Sequence, residues 1–564
     1  MSADRYPEAG DHLDVDALET IDAPGEMAWS FDRRHFLAVL GLGAAAVAAG
    51  TSPGKAKAAP TASATAGTRV SSVSDPVEYT VSELLVQYER RKISPVEVVQ
   101  AYLDRIAEYD EAFYKAYVTV VPDIALAKAK AIARIQPRKR TAVWGIPYAP
   151  KDNYFSKGIL TTGNSDLYQT FVPEYDATYV ARLNEAGAVM LGKTQMGPLA
   201  SGRPTLPNGT ITTRNAWSPD DSALSPSGSS GGSGCAPAAR LAAFCLGTQT
   251  GGSITSPTQA NGLTGLKPTL GRTSVYGVIP LSLTRDHTGP MGRNVKDIAL
   301  SMTVSDGPDP NDPRTIGVPP AGDYVKAATP VKSTRGGVSL RWRTRLGIPP
   351  DYLDGDTPVA AARKAAVDTF TRLGARIVEV PAPEDVTTYA ALASRNGESS
   401  EAFREELRAD LKLFNGRVTG WVSGLMFGAD AYITARRAQY LVAASALEQI
   451  FDKCEAMIGP PQFDPAGFPL LAFPIGFNPP NDIGVTAPIG MIIGGRPYDE
   501  VRILSVVAAF QAVTDFHLRR PPEPTLVAPA PTGATTLRSA ASSSVLPAIT
   551  PEELYAIELA GVEA

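Results

Sequence analysis

The chain predicts an α/β protein with a layer of helices at its N-terminal side. Three observations carry this. Two helix-start signatures stand close together, Thr80-Val-Ser-Glu83 and Ser94-Pro95-Val-Glu97. From Ala142 to Val304, short apolar runs such as Val189-Met-Leu191 alternate with helical stretches and glycine turns. Strand-like text then returns at Leu470–Phe477 and Ile489–Ile493. A composition of 44% hydrophobic and 20% charged residues over 564 positions is that of a globular protein with ample chain for a large core.

Residues 1–58 read as an export signal. Arg33-Arg34-His35-Phe36-Leu37 opens an uncharged run from Phe36 to Gly50, and Ala56-Lys57-Ala58 offers a small-x-small cleavage site. Paired arginines ahead of a weakly hydrophobic Ala/Gly-rich core resemble a twin-arginine signal. The run is too short to make a stable transmembrane helix, so no stable membrane insertion is expected after cleavage. An uncleaved anchor or a disordered tail is the competing reading. Residues 59–76 are a Ser/Ala/Thr-rich linker.

The body, 77–520, reads as one domain. In the first capping box, threonine accepts from the glutamate N–H and the glutamate carboxylate accepts from the threonine N–H. Leu84, Leu85 and Tyr88 follow it on one helical face. After the second box, with proline at the first helical position, Val98, Tyr102, Leu103 and Ile106 keep helical spacing. Residues 305–335 are rich in Pro, Asp and Gly and read as a surface loop. Gly337-Val-Ser-Leu-Arg341 reads as a strand, 356–374 and 397–456 as helices, and Tyr498–Leu518 as the last helix. Residues 521–564 form a Pro/Ala/Ser-rich tail in which Thr550-Pro551-Glu-Glu553 marks a short terminal helix.

Charge and rare residues narrow the function. The net charge is −5; residues 1–58 carry 5 basic and 9 acidic residues, so the remainder carries −1. A nearly neutral body gives no reason to expect a nucleic-acid partner. Cys235, Cys245 and Cys454 are too few for a disulfide framework; one pair or three buried thiols both fit. The four histidines are His12, His35, His287 and His517, so a Ser-His-Asp triad would have to draw on His287 or His517. His287, in Arg-Asp-His-Thr-Gly-Pro, reads as structural. No Cys/His cluster has zinc spacing, so neither a metal nor a cofactor is indicated.

The chemistry concentrates in two glycine-dense turns. Gly228-Ser-Ser-Gly-Gly-Ser-Gly-Cys235 is followed by Gly247-Thr-Gln-Thr-Gly-Gly-Ser-Ile-Thr-Ser-Pro257. Upstream, Gly145-Ile-Pro-Tyr-Ala-Pro-Lys151-Asp-Asn153 puts a lysine at the end of an apolar run. A nucleophilic serine needs a base, and a lysine can be one when burial removes its charge. Glycine lets backbone N–H groups approach an oxyanion unobstructed. Taken singly, the Gly/Ser run could be a linker, and the lysine a solvated one. No Lys-Ser/Thr closes a phosphate loop.

With Thr161-Thr-Gly-Asn-Ser165, Asp176-Ala-Thr178, Gly187-Ala-Val-Met-Leu-Gly-Lys-Thr194, Gly262-Leu-Thr-Gly-Leu-Lys-Pro268 and Gly289-Pro290 in order, the chain from Val77 to Arg520 resembles the amidase signature family. The resemblance implies a mixed central β-sheet flanked by helices on both sides. It implies Ser253 as nucleophile, Ser229 as bridging serine after a cis Gly228–Ser229 peptide, and Lys151 as general base. It also implies an oxyanion hole from the backbone N–H groups of Thr250, Gly251, Gly252 and Ser253. The substrate implied is a small-molecule or peptide amide, cleaved to acid plus ammonia or amine through an acyl-enzyme. Alternatives are an esterase or carbamate hydrolase with the same relay, the glutaminase subunit of a tRNA-dependent amidotransferase, and an inactive binding protein. The export signal argues against the glutaminase reading. Intact Lys151, Ser229 and Ser253 argue against the binding protein.

Two positions depart from the family pattern Gly-Thr-Asp-Thr-Gly-Gly-Ser-Ile-Arg. Gln249 stands at the acidic position and Thr255 at the arginine position. Losing both charges is electrostatically consistent, whereas losing one would strand the other. A neutral Gln249/Thr255 substitute is therefore expected, and the missing arginine argues against a carboxylate-bearing substrate. Tyr154, Phe155, Tyr168, Trp421, Met426 and Phe427 line an acyl pocket or belong to the core. The oligomeric state is not legible.

Overall fold

The computed structural model describes residues 75–525, except 136–140, 206–211, 222, 334–335, 394–395, 415–417 and 461–462. The export-signal segment, almost all of the linker and the terminal helix expected at 550 lie outside the described residues. One compact unit ends at Glu523; of the second, which starts at Pro524, residues 524–525 are described.

Both N-terminal capping boxes form. Thr80 Oγ1 accepts from Glu83 N while a Glu83 carboxylate oxygen accepts from Thr80 N at 2.9 Å, starting the helix Val81–Glu89. Ser94 and Glu97 repeat the arrangement for Pro95–Tyr109. Their apolar faces, Val81, Leu84 and Tyr88 on one helix and Val98, Val99, Tyr102 and Ile106 on the other, are buried. Each large side chain so buried contributes about 1.5–3 kcal/mol. Tyr88 packs edge-on to Trp144, and its hydroxyl donates to Gly145 O at 2.9 Å, which pins this layer to the segment leading to Lys151.

The core is a ten-stranded mixed sheet. Its order is Arg376–Glu379, Arg345–Ile348, Ala456–Ile458, Pro488–Gly495, Leu470–Phe477, Thr264–Lys267, His287–Gly292, Phe244–Gln249, Pro147–Pro150, Val189–Met190. The two strand pairs at each end are parallel; the middle is antiparallel. Helices flank the sheet, giving the predicted α/β class. Phe244–Gln249 and Pro147–Pro150 are buried along their whole length, as expected of strands covered on both faces. At the other half, Phe370, Phe473 and Phe510 pack the helices Pro358–Arg372 and Glu500–Gln511 together with the strand Leu470–Phe477.

Three expectations need correction. The strand near 337–341 is only Val338–Ser339, and it pairs with Val331–Lys332 in a separate two-stranded ribbon. Charged Arg341 and Arg343 flank Trp342 immediately after it, and the sheet strand begins later, at Arg345. The helical region 397–456 is not continuous. It divides into Asn396–Glu401, Arg404–Ala409, Leu411–Phe414, Val418–Leu425 and Ala429–Gln449, with extended Asp410 and Gly428 as breaks, and ends in the strand Ala456–Ile458. The loop 305–335 contains two single helical turns, Pro313–Thr315 and Tyr324–Ala327, capped by Asp312 and Asp323. All three cysteines are buried and free.

Candidate active site

Lys151 continues directly from the strand Pro147–Pro150. Its N–H bonds Leu246 O at 3.0 Å, extending the pairing with Phe244–Gln249. The side chain is 0% exposed. Its Nζ donates to Ser229 Oγ at 2.7 Å and to Thr248 Oγ1 at 2.8 Å. Burial penalises the charged form and pulls the amine down to about 7, against the opposing pull of the Asp286 charge. Thr248 also accepts from Asn153 Nδ2 at 3.0 Å. The adjacent Asp152 is paired elsewhere, with fully buried Lys193 at 3.4 Å, so it is not the counter-ion of Lys151.

Ser229 follows a cis Gly228–Ser229 peptide bond. Its carbonyl accepts from Gly197 N at 2.9 Å. Position 228 has to be glycine: a Cβ there would lie 2.2 Å from Gly202 O and 2.9 Å from Arg203 Cα. The helix Gly231–Ala238 follows at once and is buried along its whole length.

Ser253 sits on the turn between the strand Phe244–Gln249 and the short helix Thr255–Ala260. Gly252 takes φ +83°, a conformation that favours glycine. The two serine turns are stitched by Ser230 N to Ser253 O at 3.3 Å. Among the described residues, the Ser253 hydroxyl has no hydrogen-bond partner, and the N–H groups of Gly251, Gly252 and Ser253 have no acceptor. Thr250 is anchored through its hydroxyl to Asp286 Oδ1. The other Asp286 oxygen accepts from Leu281 N at 2.7 Å and Ser282 N at 3.0 Å.

The structure thus brings Lys151 into contact with Ser229 and sets Ser253 and the 250–253 backbone beside them. It adds Thr248, Asn153 and Asp286. The sequence signal for these was weak: Thr248 is one polar residue in a strand buried along its whole length, and Asp286 is one of several polar residues in Thr284-Arg-Asp-His-Thr288. His287 is buried, its Nδ1 lies 2.7 Å from Arg285 O, and burial lowers its basicity well below the usual range. It makes no hydrogen bond to Lys151 or Ser253.

Gln249 and Thr255 are joined, as a neutral substitute requires. Gln249 Oε1 accepts from Ile254 N at 2.8 Å, Thr255 N at 2.9 Å and Thr255 Oγ1 at 3.3 Å. The surroundings are not free of charge, however: Gln249 Nε2 donates to Asp464 Oδ1 at 2.6 Å.

The proposed pocket residues divide. Tyr154 is fully buried and spends its hydroxyl on Gly247 O at 2.6 Å, so it braces the nucleophile strand and does not line a pocket. Trp421 packs in a core cluster with Phe403 and Phe414, beside Leu199 and Ile279. Phe155 and Tyr168 both pack on Phe171. Met426 is 62% exposed.

The family model Amidase matches residues 97–422. A glutamyl-tRNA(Gln) amidotransferase subunit from Methylobacillus flagellatus is 33% identical over 505 residues, covering 79% of this chain and 99% of its own. The native peptide amidase of Stenotrophomonas maltophilia superposes with a TM-score of 0.66 at 28% identity, covering 79% of this chain and 98% of that one. A chain from a vestigial protein complex, bearing on the origins of an s-triazine catabolic enzyme, superposes with a TM-score of 0.67 at 27% identity, with 79% and 100% covered.

Proposed function

The chain belongs to the amidase signature family and is a carbon–nitrogen hydrolase; from that premise we propose that it cleaves a carboxylic amide through a Ser253–Ser229–Lys151 relay. One observation carries the reading: a fully buried lysine amine, brought down to about 7, lies 2.7 Å from the Ser229 hydroxyl. A neutral amine accepts the Ser229 proton as Ser229 accepts that of Ser253, and Ser253 Oγ attacks the amide carbon. The tetrahedral oxyanion faces the N–H groups of the 250–253 turn, where one donor is worth about 3–4 kcal/mol of barrier. Ser229 returns the proton to the departing nitrogen, and water then opens the acyl-enzyme by the same route. Fluorophosphonate labelling with peptide mapping tests this. An adduct on Ser253 that fades in Lys151→Ala supports the relay; a folded protein without an adduct, inert towards amides, esters and carbamates alike, refutes it.

A second reading has specific support. The Methylobacillus flagellatus relative belongs to a glutamyl-tRNA(Gln) amidotransferase and is covered over 99% of its length, so glutamine amide hydrolysis within a complex is the competing assignment. The 28% identity to a peptide amidase over 98% of that chain supports hydrolysis of a peptide amide instead. Affinity purification of the full chain from its own cells separates them, because a stoichiometric partner protein favours the complex. Export through residues 1–58 is also part of the proposal, supported by Arg33-Arg34, the apolar run and Ala56-Lys57-Ala58. If Arg33→Lys with Arg34→Lys leaves the protein's distribution between cell and exterior unchanged, that part is wrong.

A further inference from the structure

We propose that Asp464 is a positioning residue for the hydrolytic site, acting on the Ser253 turn through the side-chain amide of Gln249. The inference rests on the hydrolase reading above and adds a residue from a distant segment to it.

Gln249 ends the strand that delivers the nucleophile turn, and it is 0% exposed. Its carbonyl oxygen holds Ile254 N and Thr255 N, the two N–H groups immediately after Ser253. Its NH2 group is held by Asp464 Oδ1 at 2.6 Å, 215 residues along the chain. The same Asp464 oxygen lies 3.7 Å from the Nζ of Lys267, a fully buried lysine whose amine makes no hydrogen bond among the described residues. Asp464 therefore serves as acceptor for the clasp and as counter-ion for Lys267.

This explains why glutamine stands at 249. A carboxylate there could still clasp the turn, but it would face a second carboxylate at 2.6 Å, and close like charges are costly out of water. An amide offers an acceptor to the turn and a donor to Asp464 at once. Thr255 adds a third bond to the same oxygen at 3.3 Å. The negative charge that the family pattern places at 249 is supplied here from the loop ahead of the strand Leu470–Phe477. Residue 249 and residue 464 are thus chosen jointly, and the aim of Ser253 depends on both.

The test uses the full chain with Q249E, D464N, Q249E/D464N and D464A. The readouts are the fluorophosphonate labelling rate of Ser253, kcat and KM on the best amide, and Tm. Q249E keeps the size and the turn acceptor but sets two carboxylates together. It is expected to lose about ten-fold or more in labelling rate and kcat, with little change in KM, since a misaimed nucleophile impairs the chemical step more than binding. In Q249E/D464N the asparagine NH2 donates to the new carboxylate, so both rates are expected to recover to within about three-fold of wild type, a strongly non-additive cycle. Q249E labelling as fast as wild type overturns the proposal. So does a double variant that melts like wild type yet labels no faster than Q249E. If Q249E does not fold, D464A decides, because it removes the acceptor without adding a charge; a wild-type labelling rate in D464A overturns the proposal. A wild type that neither labels nor hydrolyses any amide refutes the hydrolase reading itself, and the wild-type lane alone distinguishes that failure.

Discussion

Lys151 Nζ lies 2.7 Å from Ser229 Oγ, although the two residues are 78 positions apart, and both are shut away from water. An amine in such a place is charged only at a cost, which makes it available as a base near neutral pH.

The pH dependence of turnover follows from it. With the Lys151 amine at about 7, kcat/KM is expected to rise with pH through that value and level off above it. A profile flat from about pH 5.5 to 8.5 would remove Lys151 as the base.

Stability carries the same signature with a definite sign. An unfolded lysine takes up its proton at about pH 10.4, while the folded one does so only at about 7. Between these values the unfolded state binds the extra proton, so this group's contribution to stability rises with pH across the window and is constant below it. Lys151→Met abolishes the contribution. The Tm difference between wild type and Lys151→Met, followed from about pH 7 to 10, is expected to shift in favour of wild type.

Ser253→Ala separates chemistry from folding. The hydroxyl is half-buried and has no hydrogen-bond partner among the described residues, so its loss is expected to change stability by less than about 0.5 kcal/mol. Amide turnover should fall by about 10³-fold or more. A circular-dichroism melt beside a steady-state assay checks both.

Two glycines in the serine turns should answer differently to alanine. At 228 the new methyl meets Gly202 O at 2.2 Å, whereas at 251 nothing lies within 4 Å. Gly228→Ala is expected to cost about 1–3 kcal/mol or more through overpacking, and Gly251→Ala close to nothing. Denaturant titration reads the contrast.

Asp286 has two effects that one variant exposes. Its carboxylate anchors the Thr250 hydroxyl, and its charge holds the Lys151 amine up against burial. Asp286→Asn is expected to lower kcat by about ten-fold, in proportion to one weakened oxyanion-side contact. It should also move the acid limb of the profile to lower pH, because the charge that favours protonated Lys151 is gone. An acid limb moving upward would contradict this.

The sequence alone determined what is decided within a turn or two of chain. Thr80/Glu83 and Ser94/Glu97 started their helices because both partners of each capping box lie three residues apart. Leu470–Phe477 read as a strand because its apolar run is uninterrupted, and the order of the glycine-serine blocks identified the family. The tertiary structure decided everything that depends on sheet order. It set Lys151 on Thr248, 97 residues away, and Gln249 on Asp464, 215 away. It put Tyr154 and Trp421 in the core and Met426 on the surface, a division that residue type does not make. It broke 397–456 into pieces, with extended Asp410 and Gly428 among the breaks. Local signals act through hydrogen bonds and rotamers between near neighbours, whereas desolvation and long-range pairing exist only once the strands are side by side. That is why the Ser253 turn could be found in the text, while the charge that steadies it, on Asp464, could not.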